Sequence, residues 1–124
     1  MKSIISSRVL SLMRPYKPIL IGSAAYGNVH ANDIDMLICV PVDRLSSVEG
    51  QLAAQGFTQQ VPDPETLDPR VHSAWKLEKL DIQIATPGNY ENKVAAHREV
   101  LRKRLYKGLT KAARYALLCS LFVG

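Results

Sequence analysis

Three aspartates stand at the heads of apolar segments, which is an unusual place for acidic residues. Asp33 and Asp35 flank Ile34 at the start of one segment, and Asp81 lies near the start of another. Because strand side chains alternate with a period of two, Asp33 and Asp35 are expected on one face, where Asp81 from a neighbouring strand can join them. Three convergent carboxylates suit a hard divalent cation such as Mg²⁺, which commonly also takes up substrate phosphates. The acids therefore predict phosphoryl or nucleotidyl transfer.

A Gly-Ser pair, Gly22 and Ser23, ends the apolar stretch that precedes the first acid. Glycine lets the backbone approach a ligand closely, and the Ser hydroxyl with the backbone N–H groups after it can donate to phosphate oxygens. Taken alone, the pair is typical of a turn, and each acid is typical of a strand-end turn or cap. Asp is disfavoured in strands, however, and two on one apolar face repel each other unless a cation, Lys or Arg compensates. The whole set in this order therefore favours a ligand site.

The order of these residues resembles the signature of the DNA polymerase beta nucleotidyltransferase superfamily. The matching segments are Ile21-Gly22-Ser23, Asn32 to Leu37, and Leu80-Asp81-Ile82, within a region of roughly Pro18 to Thr86. The small size of the chain is similar to that of the minimal nucleotidyltransferases, which include antitoxin-type members. Many minimal members have Ser immediately before the first Asp, where this chain has Asn32.

The resemblance implies a role for each matching residue. Asp33, Asp35 and Asp81 would hold Mg²⁺, or Mn²⁺ in its place, and Asp81 would also take the proton of the attacking hydroxyl. Gly22 and Ser23 would hold the triphosphate of ATP or another NTP. The implied reaction moves a nucleoside monophosphate to a hydroxyl of a nucleic acid, a protein or a small molecule, with release of pyrophosphate.

Two other interpretations of the same residues stay open. One is a binding protein on the same fold, such as an antitoxin that neutralises a partner toxin with or without catalysis. The other is a nuclease-like phosphodiesterase that uses the same metal ions, although the Gly-Ser pair speaks against it. The acceptor, the preferred base and the oligomeric state cannot be inferred from the sequence.

The hydrophobic patterns predict one α+β domain over residues 1–124, with a catalytic core over about 16–88 and a C-terminal helical segment over about 90–123. The resemblance makes this a polymerase beta-like fold, with a mixed or antiparallel sheet of about four to five strands and helices packed on one side. The first expected elements are a helix over about 3–14 and strands over 19–21 and 33–40. A helix over 45–53, capped by Asp43 and ended by Gly56, comes next, and an edge strand over 57–61 follows it. The last expected elements are a hairpin or bulged strand that turns near Glu78-Lys79 and helices over about 91–106 and 110–122.

Positive charge is concentrated in the C-terminal quarter of the chain, whose formal net charge is +5. Eight Lys or Arg residues and one acid lie between residues 93 and 114. At helical spacing this segment predicts either a solvated basic face or a phosphate-binding wall for the triphosphate or a nucleic-acid acceptor. The residues of this predicted wall are Lys93, His97, Arg104, Lys107, Lys111 and Arg114.

The remaining features favour a cytoplasmic protein with no membrane association. No apolar run reaches the length of a membrane span, and the N-terminus lacks a signal-peptide core. Cys39 and Cys119 are interpreted as small buried hydrophobes rather than as a disulfide pair. Trp75 is predicted to lie in the core rather than to stack on a base, and His30 is predicted to be a solvated loop residue rather than a phosphate ligand. The apolar C-terminal end could pack on the first helix or serve as a surface for a protein partner.

Overall fold

The computed structural model describes residues 6–21, 34–61 and 68–103. These residues form helices, two short 3₁₀ turns and a sheet. The helices are α1 (Ser7–Met13), α2 (Leu45–Ala54) and α3 (Pro87–Lys103), and the 3₁₀ turns are Arg14–Tyr16 and Val42–Arg44. The strands are β1 (Ile19–Ile21), β2 (Ile34–Cys39), β3 (Thr58–Gln59), β4 (Ser73–Leu77) and β5 (Leu80–Ala85). The helix predicted over 110–122 lies outside the described residues.

The strands form one five-stranded mixed sheet in the order β1-β2-β5-β4-β3. Strands β2 and β5 are parallel, and every other neighbouring pair is antiparallel. The predicted α+β class and mixed sheet are therefore confirmed. The predicted edge strand is confirmed as well, although β3 is shorter than expected.

Helices cover both faces of the sheet. Helices α1 and α2 pack on the face that carries Ile38 and Ile82, whereas α3 packs on the opposite face, against Leu37 and Ala85. The expectation that the helices lie on one side is wrong, because the central strands are apolar on both faces and each face must be covered. Asp35 and Asp81 belong to the face on which α3 packs, since each lies two residues from a strand residue that alternates with it on that face.

Strands β4 and β5 form a tight hairpin whose turn is Glu78-Lys79, as the change of hydrophobic parity predicted. Leu77 pairs with Leu80 across the turn. Glu78 has a φ of 54°, and Lys79 does not have a positive φ. A positive φ at only the first of the two turn residues is the pattern of a type II′ hairpin turn.

Several helix boundaries differ from the predicted ones. Asp43 was predicted to cap α2, but it lies inside a 3₁₀ turn, and α2 begins without a side-chain cap. Gly56, with a φ of 96°, follows the end of α2 as predicted. Helix α3 begins at Pro87, four residues before the predicted start, because the fixed φ of proline and its missing N–H suit the first helical position.

Candidate acidic site

Two of the predicted acids face each other in the centre of the sheet. Asp35 is the second residue of β2, Asp81 is the second residue of β5, and the two are direct partners in the parallel pairing. Neighbouring strands lie about 4.8 Å apart, and paired residues point to the same face, so the two carboxyl groups share one site. Asp33, Gly22 and Ser23 lie outside the described residues.

The acid pair belongs to a row that crosses the whole sheet. Ile21 of β1 pairs with Asp35, and Lys76 of β4 pairs with Asp81. Thr58 of the edge strand β3 completes the row next to Lys76. Ile21 is the last residue of β1, and Gly22 and Ser23, the predicted nucleotide-binding pair, follow it in the sequence. The row therefore has two carboxylates at its centre and an ammonium group on the side away from β1.

Burial makes this acid pair electrostatically costly. Asp35 and Asp81 are only partly exposed, and the Oδ1 atom of Asp81 is buried. Two like charges about 6 Å apart repel by up to about 3 kcal/mol at an effective dielectric constant of 20. A cation beside the two carboxylates lowers this cost, and carboxylate oxygens are the donors that Mg²⁺ and Mn²⁺ prefer. The donor set of Asp35 and Asp81 therefore fits a hard divalent cation.

The described residues supply only part of a complete metal site. Within residues 6–21, 34–61 and 68–103, no group of three or more His, Cys, Asp or Glu side chains is placed to hold a metal ion. Asp33, the third acid of the predicted site, falls in the gap between the first two of these ranges. Its position relative to Asp35 and Asp81 stays a prediction.

The sequence analysis missed Lys76 as a member of this site. The signal was available: a two-residue turn at Glu78-Lys79 pairs residue 77 with residue 80 and therefore residue 76 with residue 81. The turn was predicted, but this register was not drawn from it.

Gln83 is a second residue that the sequence analysis missed. It lies two residues after Asp81 on the same face of β5 and is 6% exposed. Its Oε1 atom is buried, and among the described residues no donor forms a hydrogen bond with it. A buried acceptor without a donor is uncommon in folded proteins. No local pattern in the sequence distinguishes this Gln from a solvated one, because its burial depends on segments that are distant in the chain.

Two members of the predicted basic wall are buried instead of solvated. Lys93 is 2% exposed, and its Nζ donates to Oδ2 of Asp68 at 2.7 Å. His97, one turn later on α3, is 7% exposed. The prediction that these two residues lie on a basic surface is wrong, because they belong to the side of α3 that packs on the sheet, together with Val94. Arg104, Lys107, Lys111 and Arg114 lie outside the described residues.

Burial and neighbouring charges shift the pKa values of Asp68 and His97. Burial alone raises the pKa of Asp68, but the charge and hydrogen bond of Lys93, with the backbone N–H and guanidinium of Arg70, outweigh it, so the pKa is lowered. Burial lowers the pKa of His97, and the charges of Lys93 and Arg98 lower it further. Asp68 is therefore a carboxylate, and His97 is neutral, near pH 7.

Trp75 lies in the core, as predicted, and not at the acidic site. It is 8% exposed on the face under α1 and α2. Its Nε1 donates to Oγ of Ser73 at 3.0 Å, and that hydroxyl donates to Oε2 of Glu49 at 2.8 Å. Cys39 is also buried, as predicted. His30 and Cys119 lie outside the described residues.

Comparison with known proteins leaves this chain without a match: no protein-family model, no curated protein and no solved structure is significantly similar to it. Among the described residues, no helix is both long enough and apolar enough to cross a membrane.

Proposed function

We propose that this protein is a metal-dependent nucleotidyltransferase that moves a nucleoside monophosphate from an NTP to a hydroxyl acceptor. The observation that carries the proposal is the pairing of Asp35 with Asp81 on adjacent central strands. Both acids are partly buried, and the Oδ1 atom of Asp81 is fully buried, on a sheet that gains stability from apolar residues, which argues for a ligand rather than for packing.

The proposed roles are those that the resemblance implies, and the pairing of Asp35 with Asp81 supports them for these two acids. Asp35, with Asp33, binds the metal ion, and Asp81 is both a ligand and the base that takes the proton of the acceptor hydroxyl. Gly22 and Ser23, which follow β1, bind the triphosphate. A bound Mg²⁺ supplies charge neutralisation for the phosphates and lowers the pKa of the acceptor hydroxyl.

The order of the strands also suggests from which sides the donor nucleotide and the acceptor approach the proposed site. The leaving group and the acceptor lie on opposite sides of the reacting phosphorus in an in-line displacement. If the triphosphate is held near β1, the acceptor approaches from the side of β4. Asp81 is the acid nearer to β4, which is where the base is needed.

The test is a transfer assay with the four α-labelled NTPs, offered to the protein alone, to total RNA and to a cell extract. We expect label transfer together with release of pyrophosphate. Asp35→Asn and Asp81→Asn should each reduce transfer by at least about a hundredfold while the chain stays folded, since each removes a negative charge from a crowded site. Asp43→Asn, an identical change at an exposed position, is the control and should be fully active.

Other outcomes would replace the proposal. Cleaved nucleic acid without pyrophosphate would identify a phosphodiesterase. A stoichiometric complex with a protein partner and no transfer of label in any sample would identify a binding protein of the antitoxin type. Transfer that is equally fast in Asp81→Asn and in wild type would remove this acid from the chemistry.

The basic charge of the C-terminal segment is the reason to include nucleic acids among the proposed acceptors. If Lys107 and Lys111 contact phosphates, changing both to Gln should weaken RNA binding and reduce the slope of log K against log salt by roughly one unit per lost contact. NTP binding should persist. Loss of NTP binding alone would assign this segment to the donor nucleotide, and no change in either would leave it a solvated face.

A further inference from the structure

We propose that Lys76 is the built-in counter-ion of the acid pair and that a bound divalent cation competes with its ammonium group for Asp81. The second half of this inference rests on the proposed function. The first half, the coupling of Lys76 to Asp81, does not require a metal ion.

The sheet register places Lys76 beside the acids and not merely near them. Lys76 pairs with Asp81 in the antiparallel hairpin, and Asp81 pairs with Asp35 in the parallel pair, so the three side chains point to the same face in one row. Directly opposite residues in an antiparallel pair have Cβ atoms about 4.5–5.5 Å apart. The lysine side chain, with four methylene groups, can therefore bring its ammonium group to the carboxylate of Asp81.

The distribution of charge on this face of the sheet favours Lys76 as the counter-ion of the two carboxylates. In the next row along the strands, the residues on the same face are Ile19, Leu37, Gln83 and Ala74, none of which is charged. Lys93 of α3 holds Asp68, with its Nζ 2.7 Å from Oδ2. Among the strand residues that the structure describes on this face, Lys76 is thus the cation beside two carboxylates.

A lysine in this position should oppose metal binding. Its positive charge repels an incoming cation. When the cation binds the carboxylate of Asp81, the ammonium group of Lys76 also loses its interaction with that carboxylate. A unit charge about 6 Å from the site changes the affinity for a cation by roughly tenfold or more at an effective dielectric constant between those of water and the protein surface. Removing the charge of Lys76 should therefore tighten cation binding, whereas loss of a merely structural lysine would loosen the sheet and weaken binding.

The first experiment is calorimetric titration of Mn²⁺ and Mg²⁺ into wild type, Lys76→Met, Lys79→Met and Asp81→Asn. Lys79→Met is the matched control, because Lys79 is exposed in the turn of the same hairpin and its loss changes the net charge equally. We expect roughly tenfold tighter binding by Lys76→Met, little change in Lys79→Met, and loss of binding in Asp81→Asn. Unchanged or weaker binding by Lys76→Met, with binding still lost in Asp81→Asn, would overturn the inference and leave the proposed function intact.

The second experiment tests the pair without any metal ion, by thermal unfolding in EDTA. Lys76→Met should lower the unfolding midpoint in the wild-type background, because it removes a positive charge from beside two facing carboxylates, and should lower it by less than half as much in the Asp81→Asn background. An equal decrease in both backgrounds would refute the pairing of Lys76 with Asp81. If Lys76 and Asp81 are coupled in this way but neither wild type nor any variant binds the cation, the competition and the proposed metal site are refuted. The counter-ion role of Lys76 would then still stand.

Discussion

Breaking the buried ion pair between Lys93 and Asp68 should strongly destabilise this fold. The two side chains are 3% and 2% exposed, and Nζ lies 2.7 Å from Oδ2. Replacing Lys93 by Met leaves the Asp68 carboxylate buried without its main partner. Breaking a buried pair in this way costs about 3–5 kcal/mol.

Arg70 should keep the free-energy cost of Lys93→Met near the lower end of the range of about 3–5 kcal/mol. Its backbone N–H and its guanidinium both donate to Oδ1 of Asp68 at 3.0 Å, and both contacts survive the substitution. We therefore expect Lys93→Met to reduce the free energy of unfolding by about 3 kcal/mol, the lower end of the range. In an Asp68→Asn background the carboxylate that Lys93 holds is gone, and the cost of Lys93→Met should fall below about 1 kcal/mol.

The assay is urea unfolding, followed by circular dichroism and by the fluorescence of the single tryptophan, Trp75. Lys79→Met, an exposed lysine replaced by the same residue, should change stability by no more than about 0.5 kcal/mol. A loss of less than about 1 kcal/mol in Lys93→Met would refute the reasoning, because that is the size of a solvent-exposed ion pair.

The pH dependence gives the same prediction a second readout. The folded-state pKa of Asp68 is lowered, so its contribution is fully present above the unfolded pKa of about 3.9 and is lost as the pH falls through the folded value. Lys93→Met raises the folded pKa, so this contribution shrinks, and the difference between variant and wild type should be largest near pH 7 and should narrow in acid. A constant difference from pH 7 to pH 3 would contradict the assigned ion pair.

Three smaller predictions concern the scaffold. Glu78→Gly should stabilise the protein by about 1 kcal/mol, because glycine adopts the positive φ of this turn without steric cost, whereas Lys79→Gly should not stabilise it; chemical unfolding distinguishes the two. Ser73→Ala should cost about 1–3 kcal/mol and alter the emission of Trp75, because it leaves the buried indole N–H without its acceptor. Tyr90→Phe should cost about 0.5–1.5 kcal/mol in the same unfolding assay, because its hydroxyl donates at 2.7 Å to the backbone carbonyl of Lys17, just before β1.

Periodicity was sufficient to predict the strands and the hairpin. The alternation in β2 separates Met36 and Ile38 from Asp35 and Leu37, and the structure has these two faces. The change of parity between Leu77 and Leu80 placed the turn correctly. These predictions succeeded because each depends on neighbours within one hairpin or one strand.

The placement of the helices and of the buried charges depends on contacts between distant segments. Lys93 and His97 follow a helical spacing that fits a solvated basic face equally well, and only the docking of α3 on the sheet decides between the two. Asp68, the distant partner of Lys93, lies in a proline-rich segment with no hydrophobic pattern of its own. The alternation of strand side chains and the resemblance both led to the prediction that Asp35 and Asp81 lie together, and the register of β2 and β5 pairs them directly.

The most direct test of the account is the position of Mn²⁺ in crystals grown with a non-hydrolysable NTP analogue, located by anomalous diffraction. The account predicts an anomalous peak within coordination distance, about 2.0–2.3 Å, of carboxylate oxygens of both Asp35 and Asp81, with the triphosphate of the analogue bound to the same ion. Density for the analogue with Mn²⁺ bound elsewhere, or no anomalous peak between these two carboxylates at millimolar Mn²⁺, would contradict it.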